Sequence, residues 1–180
     1  MHWMSFCMWL QGTRVGTYMR EDLYIFPIVE ALHILCGNVP LVVSTSILSG
    51  RLLGWGLTDV PVSKVAKMTL PWAWFGFTLQ FITGTLLFSS AAAQYAATRT
   101  FYIKMLMIAV AGLNALIFQR TVYRRVATWD TARVPPFAAR FAGMFSILLW
   151  FSVLVMGRVL NSAVALISES RLFFVPFFGR

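Results

Sequence analysis

Residues 23–50, LYIFPIVEALHILCGNVPLVVSTSILSG, decide the fold. The run is mostly apolar and long enough to cross a bilayer as a helix, yet it carries Glu30, His33, Asn38 and Pro40. It reads as a membrane helix with a polar stripe. Counting from Leu23 at about 1.5 Å per residue, His33 falls roughly 15 Å in, near the middle of a hydrocarbon core about 30 Å thick. Glu30 and His33 are three apart, so the spacing predicts a shared face on which they bond to each other or to one partner. Ionisable groups at that depth are costly and face protein, water or ligand rather than lipid. Pro40 removes a backbone donor and frees the carbonyl near Cys36, which predicts a bend there.

The same conclusion holds for the whole chain. Its 180 residues are 59% hydrophobic and 12% charged, with mean hydropathy +0.75, whereas soluble domains carry roughly 25% charged residues. This composition is that of an integral membrane protein. The net charge of +9 does not indicate nucleic acid, because the basic residues sit singly in short loops between apolar runs. They read as topology signals and contacts to anionic lipid in the bilayer. Cys7 and Cys36 fall in different environments, which argues against a disulfide or a metal site built from them alone.

Before the first span, MHWMSFCMWLQGTRVGTYMR lacks the charged start of a leader peptide. Trp3, Phe6 and Trp9 or Leu10 recur at helical spacing, so residues 1–20 are expected to form one interfacial amphipathic helix. After it, RLLGWGLTDVPVSKVAKM is expected to hold a short amphipathic turn on the membrane surface, with Lys64 and Lys67 on its polar side. A second span is placed at about 70–92, with Pro71 at an early helical position and Trp72 and Trp74 at the interface. Gly76, Gln80 and Gly84 form one stripe, along which a neighbouring helix approaches around a mid-membrane amide. The 95–100 segment reads as a polar loop. A third span at about 101–118 has Lys104 snorkelling near its start, Ala111 and Ala115 as a small-residue face, and Asn114 as its deepest polar group. Arg120, Arg124, Arg125, Trp129 and Asp130 mark the interface beyond it. Pro135 and Pro136 precede a fourth span at about 137–160 with Ala139 and Gly143 as another small pair, and residues 161–180 read as an interfacial tail.

The expectation is therefore an all-α integral membrane four-helix bundle forming a single domain. Four spans put both termini on one side. The two opposite loops carry Arg51, Lys64, Lys67, Arg120, Arg124, Arg125, Arg133 and Arg140, eight basic residues against seven on the terminal side, and the span-adjacent cluster in the second of these loops tips the balance. By the positive-inside rule that side is cytoplasmic and both termini are periplasmic.

The runs REDLYIFPIVEALHILCG, LLGWG, LPWAWFGF, ITGTLLF and NALIFQRTVYRRVATWD resemble an uncharacterised bacterial family of small four-helix inner-membrane proteins with no assigned function. The resemblance extends from about Trp3 to Arg158 and rests on Pro27, Glu30, His33, Arg51, Pro71, Trp72, Arg120, Trp129 and Asp130. It implies the bacterial inner membrane as location but no activity. It also implies histidine in some relatives where this chain has Gln119, which weakens a second histidine ligand here.

Three function classes follow. In the first, His33 is an axial ligand of a b-type haem, but the only other histidine, His2, precedes the first span. Met105, Met107, Met144 and Met156 are sulfur alternatives, although methionines in an apolar bundle are usually packing. In the second, Glu30, His33, Asn38, Gln80 and Asn114 line a cavity for an ion, a transported solute, a quinone or a pigment. No internal repeat or pair of broken helices supports transport. In the third, the same residues are interhelical hydrogen bonds in an accessory subunit of a larger membrane complex, for example an electron-transfer or photosynthetic one. Walker, HExxH, GxSxG and CxxC motifs are all lacking, so soluble catalytic templates do not apply. The non-catalytic subunit is the expectation carried forward, with Glu30 and His33 as its central residues.

Overall fold

A computed structural model describes residues 2–173, with side chains for 3–166. Among these residues all the regular structure is helical, with no strand. The N-terminal segment is two helices rather than the single one expected, α1 (His2–Gln11) and α2 (Arg14–Glu21). The break has a local cause, because the Thr13 hydroxyl accepts the Gly16 N–H and starts a new helix. Asp22 then accepts the N–H groups of Tyr24 and Ile25 at 2.8 and 3.0 Å, placing a carboxylate at the start of α3 (Ile25–Ala31).

The first span is continuous from α3 into α4 (Val39–Leu53), but the turn between them, Leu32–Asn38, is a π-helix. Pro40 explains its position. With no N–H at residue 40 the preceding carbonyls lose their ordinary i→i+4 donor, and the helix widens to i→i+5 bonding. The predicted bend is thus a change of helical pitch.

The connector after α4 is shorter than expected. Residues 62–69 are the opening turns of α5 (Val62–Ser90), with Val62, Val65 and Ala66 buried and Lys64 and Lys67 exposed. Pro71 consequently lies inside a helix instead of at its start. The expected polar loop at 95–100 is instead the short helix α6 (Ala92–Ala97), followed directly by α7 (Arg99–Arg120). A 3₁₀ turn, Tyr123–Thr128, leads to α8 (Phe137–Phe173). The expected tail from residue 161 therefore begins as more of α8, and its part beyond 173 lies outside the described residues.

Three helical stretches are long and apolar enough to cross a membrane: Ile25–Leu53, Arg99–Arg120 and Phe137–Leu166. The fourth expected span, α5, has the length but not the apolarity, because Pro71, Trp72, Trp74, Gln80 and several threonines interrupt it. It nevertheless packs with the others. α4 lies between α5 and α8, and α7 lies on the other flank of α8. Leu41, Ala73, Ala111, Trp150 and Val153 bring all four helices to one core.

Small residues set these separations. A Cβ on Gly76 would stand 2.7 Å from the Gly37 carbonyl oxygen and from the Leu41 nitrogen, so α5 crosses the first span in backbone contact. At Gly143 a Cβ would meet Leu52 Cβ and the Ser49 carbonyl at 3.2 Å, the corresponding approach of α8 to α4. At the end where α5 finishes, Cys7 is fully buried against Ala92 and Ala96, which seats α1 on α6. Burial pushes the Cys7 thiol up from its ordinary value. Both cysteines are free, so no disulfide joins Cys7 to Cys36.

Candidate functional site

The five residues singled out in the sequence do not form one cluster. They form four interhelical links at different depths. Near the α1–α2 end, Asn161 donates from α8 to the Glu30 carboxylate at 3.0 Å. Close to it, His33 Nδ1 is 2.8 Å from the Thr83 hydroxyl of α5. That hydroxyl already gives its proton to the Leu79 carbonyl at 2.6 Å, so the network assigns the proton on the histidine to Nδ1. His33 Nε2 then carries a lone pair, and no described residue bonds to it.

Glu30 and His33 thus share a neighbourhood but not a bond. The π-helix begins at Leu32, between them, and takes His33 out of the ordinary i,i+3 register with Glu30. His33 also lies only eight residues past the start of α3, while the centre of the 25–53 helix is near Val39. The mid-helix position of this candidate span therefore belongs to Asn38, which accepts from Gln80 Nε2. Gln80 is pressed against Gly37, and its Oε1 is buried with no donor. Asn114 is separate again, towards the opposite end, where its amide donates to the Ala142 carbonyl of α8 at 3.1 Å.

Three partners escaped the sequence reading. Thr83 resembles any helix threonine until it is seen one position before Gly84, where a Cβ would stand 3.1 Å from the His33 ring. Asn161 fell just past the expected end of the fourth span. Lys104 was read as snorkelling outward, but its ammonium lies against Gly157 of α8, 3.4 Å from where a Cβ would be, and its charge reaches His33. Tyr95 completes this neighbourhood from α6, and burial, then the Glu30 carboxylate, push its phenol above its ordinary range.

The opposite end is organised by Arg51, which was expected as a topology signal and is instead only 1% exposed. Its Nε donates to the Val60 carbonyl at 2.7 Å, and its Nη2 to the carbonyls of Ala132 and Asp130 at 3.0 and 3.4 Å. One guanidinium thereby fastens both loops to the end of α4. Asp130 does not pair with it directly, since its carboxylate accepts the Ser63 hydroxyl and N–H, each at 2.7 Å. Those two bonds, with a smaller contribution from the Arg51 charge, hold the Asp130 carboxyl below its usual range. Trp129 packs half-buried over Leu52, Val62, Phe118 and Ala139. Arg120, Arg124 and Arg125 remain exposed as expected.

No group of three or more metal-ligating side chains occurs among the described residues. Of the sulfur donors weighed for His33, Met107 packs in the central core, while Met105 and Met144 face outward.

The fold and its polar links define a helical protein with three membrane-crossing candidates and a chain of interhelical fasteners. The chain belongs to a family of unknown function (DUF6644), whose model matches residues 5–163. No curated protein and no solved structure matches it.

Proposed function

We propose that this chain is a non-catalytic, four-span accessory subunit of a larger complex in the bacterial inner membrane. The observation that carries the reading is the fate of the polar residues, which are used for internal links: Glu30 to Asn161, His33 to Thr83, Asn38 to Gln80 and Asn114 to Ala142. Such bonds contribute about 0.6–2 kcal/mol each and fix helix register. Outward, the chain presents Trp72, Trp74, Phe75, Phe81 and Phe151 to its surroundings. α5 serves as the fourth span, since its 29 residues at about 1.5 Å each exceed a hydrocarbon core of about 30 Å. On this reading the Arg51 end is cytoplasmic and both termini are periplasmic, which the exposed Lys64, Lys67, Arg120, Arg124 and Arg125 support.

The test is gentle extraction from the native membrane, with visible spectra of oxidised and reduced samples and identification of co-purifying proteins. The expected result is a colourless chain with stoichiometric membrane partners. A partner-free, monodisperse chain would overturn the subunit reading and turn attention to transport.

One observation favours a second reading. His33 is held through Nδ1 while Nε2 has no partner among the described residues, the arrangement in which a histidine is oriented towards a haem iron or a quinone oxygen. The second haem ligand would then come from a partner chain. A Soret band lost in His33→Leu would put this reading first.

A further inference from the structure

α5 and α7 face each other across the core without packing along their lengths, and a cavity of about 200 Å³ occupies the gap. Leu70, Trp74 and Phe77 line it from α5, Ala115 and Leu116 from α7, and Trp150 from α8. Leu116 and Trp74 are exposed, so the gap opens sideways to where lipid chains run. Its volume is below the roughly 300–1,000 Å³ of pockets for compact drug-sized ligands. The sideways opening lets a slender apolar chain lie partly inside the cavity and partly along the groove. Polar groups are few, with Ser49, only 3% exposed, among them.

The charge at the mouth identifies what carries the chain. The cavity runs from mid-helix to the Arg51 end, where Ala66 and Gln119 form its last turn. Lys67 lies three residues before Leu70, and Arg120 four residues after Leu116, so each cation continues the face that lines the gap. Both are exposed, and Arg124 follows one turn on. The two acidic residues at this end do not oppose them there, because Asp130 is committed to Ser63 and Asp59 lies in the loop before α5. Basic positions flanking a groove between membrane helices recognise anionic phospholipid headgroups.

We propose that the α5–α7 cleft is a binding site for one anionic phospholipid, with an acyl chain in the cavity and the phosphate held by Lys67 and Arg120. This rests on the proposed placement of α5 within the bilayer.

The full chain, purified in mild detergent, is titrated with phosphatidylglycerol and with phosphatidylcholine of the same chains, and bound lipid is counted by native mass spectrometry. Wild type is expected to prefer phosphatidylglycerol by about tenfold, as two basic residues at an anionic surface allow. The K67Q/R120Q double variant, which changes only exposed side chains, is expected to lose that preference while keeping its thermal midpoint. Ala115→Trp, which fills the cavity, is expected to lose retention of both lipids. Equal binding of the two lipids by wild type, a preference surviving in K67Q/R120Q, or lipid retention undiminished in a folded Ala115→Trp variant would each overturn the site. So would inorganic phosphate alone raising the thermal midpoint as much as phosphatidylglycerol does, which would leave a headgroup site without a chain. A carbonate wash of the membranes and cysteine labelling along α5 report separately on whether that helix is embedded.

Discussion

His33 and Arg51 show how one side chain can join distant parts of this chain. His33 spans from the π-helix to Thr83, so Thr83→Val is expected to cost about 0.6–1.7 kcal/mol, read as a lowered thermal midpoint in detergent. His33→Leu should weaken assembly or ligand retention more than His2→Leu, and equal behaviour of the two in purification and melting would remove His33 from the centre of the argument. Arg51→Met should be more severe, at about 2 kcal/mol or more, because three loop carbonyls lose a charged donor at once. Asp130 adds a pH dependence. Its folded pKa is depressed, so its stabilisation is present above the ordinary carboxylate value and lost as pH falls through the folded one. Melting wild type and Ser63→Ala from pH 7 to pH 3 should show the variant weaker at neutral pH and less sensitive to acid.

At the level of elements, the separations are set by what is missing from side chains. Gly76→Leu is expected to force α5 off the first span at a cost of about 1–3 kcal/mol, with the Asn38–Gln80 bond lost, as seen in melting and in crosslinking between the two helices. The Gly76–Gln80–Gly84 stripe was legible in the sequence because four-residue spacing maps directly onto one helix face. The start of α5 was not, because its first turn is anchored through Ser63 to Asp130, a contact 67 residues away that local pattern does not encode. The split of α1 from α2 was encoded in Gly12 and Thr13 but obscured by the surrounding apolar run. The five-residue polar site was legible residue by residue, whereas its division into separate links depends on which helices are neighbours. Asn114 faces α8 and never meets His33, since it lies in the half of α7 towards Arg120 whereas His33 lies near the start of the first span.

For the molecule as a whole, the proposed four-span orientation has a direct check. Single cysteines placed near Val15 and near Thr131, in a background lacking Cys7 and Cys36, should label from opposite faces of sealed vesicles, with the Thr131 site reached only from the cytoplasmic face. Labelling of both from one face would remove α5 from the set of spans. The widened turn at Leu32–Asn38 bears on how such a chain tolerates change in length. A turn that already accommodates surplus backbone can give up a residue: deleting the exposed Ile34 should let the helix tighten with its flanking faces nearly in phase. The same deletion at Val43 would swing everything before it by about 100° relative to the rest. This span therefore contains its own slack, and insertions or deletions should be survivable there and almost nowhere else along it.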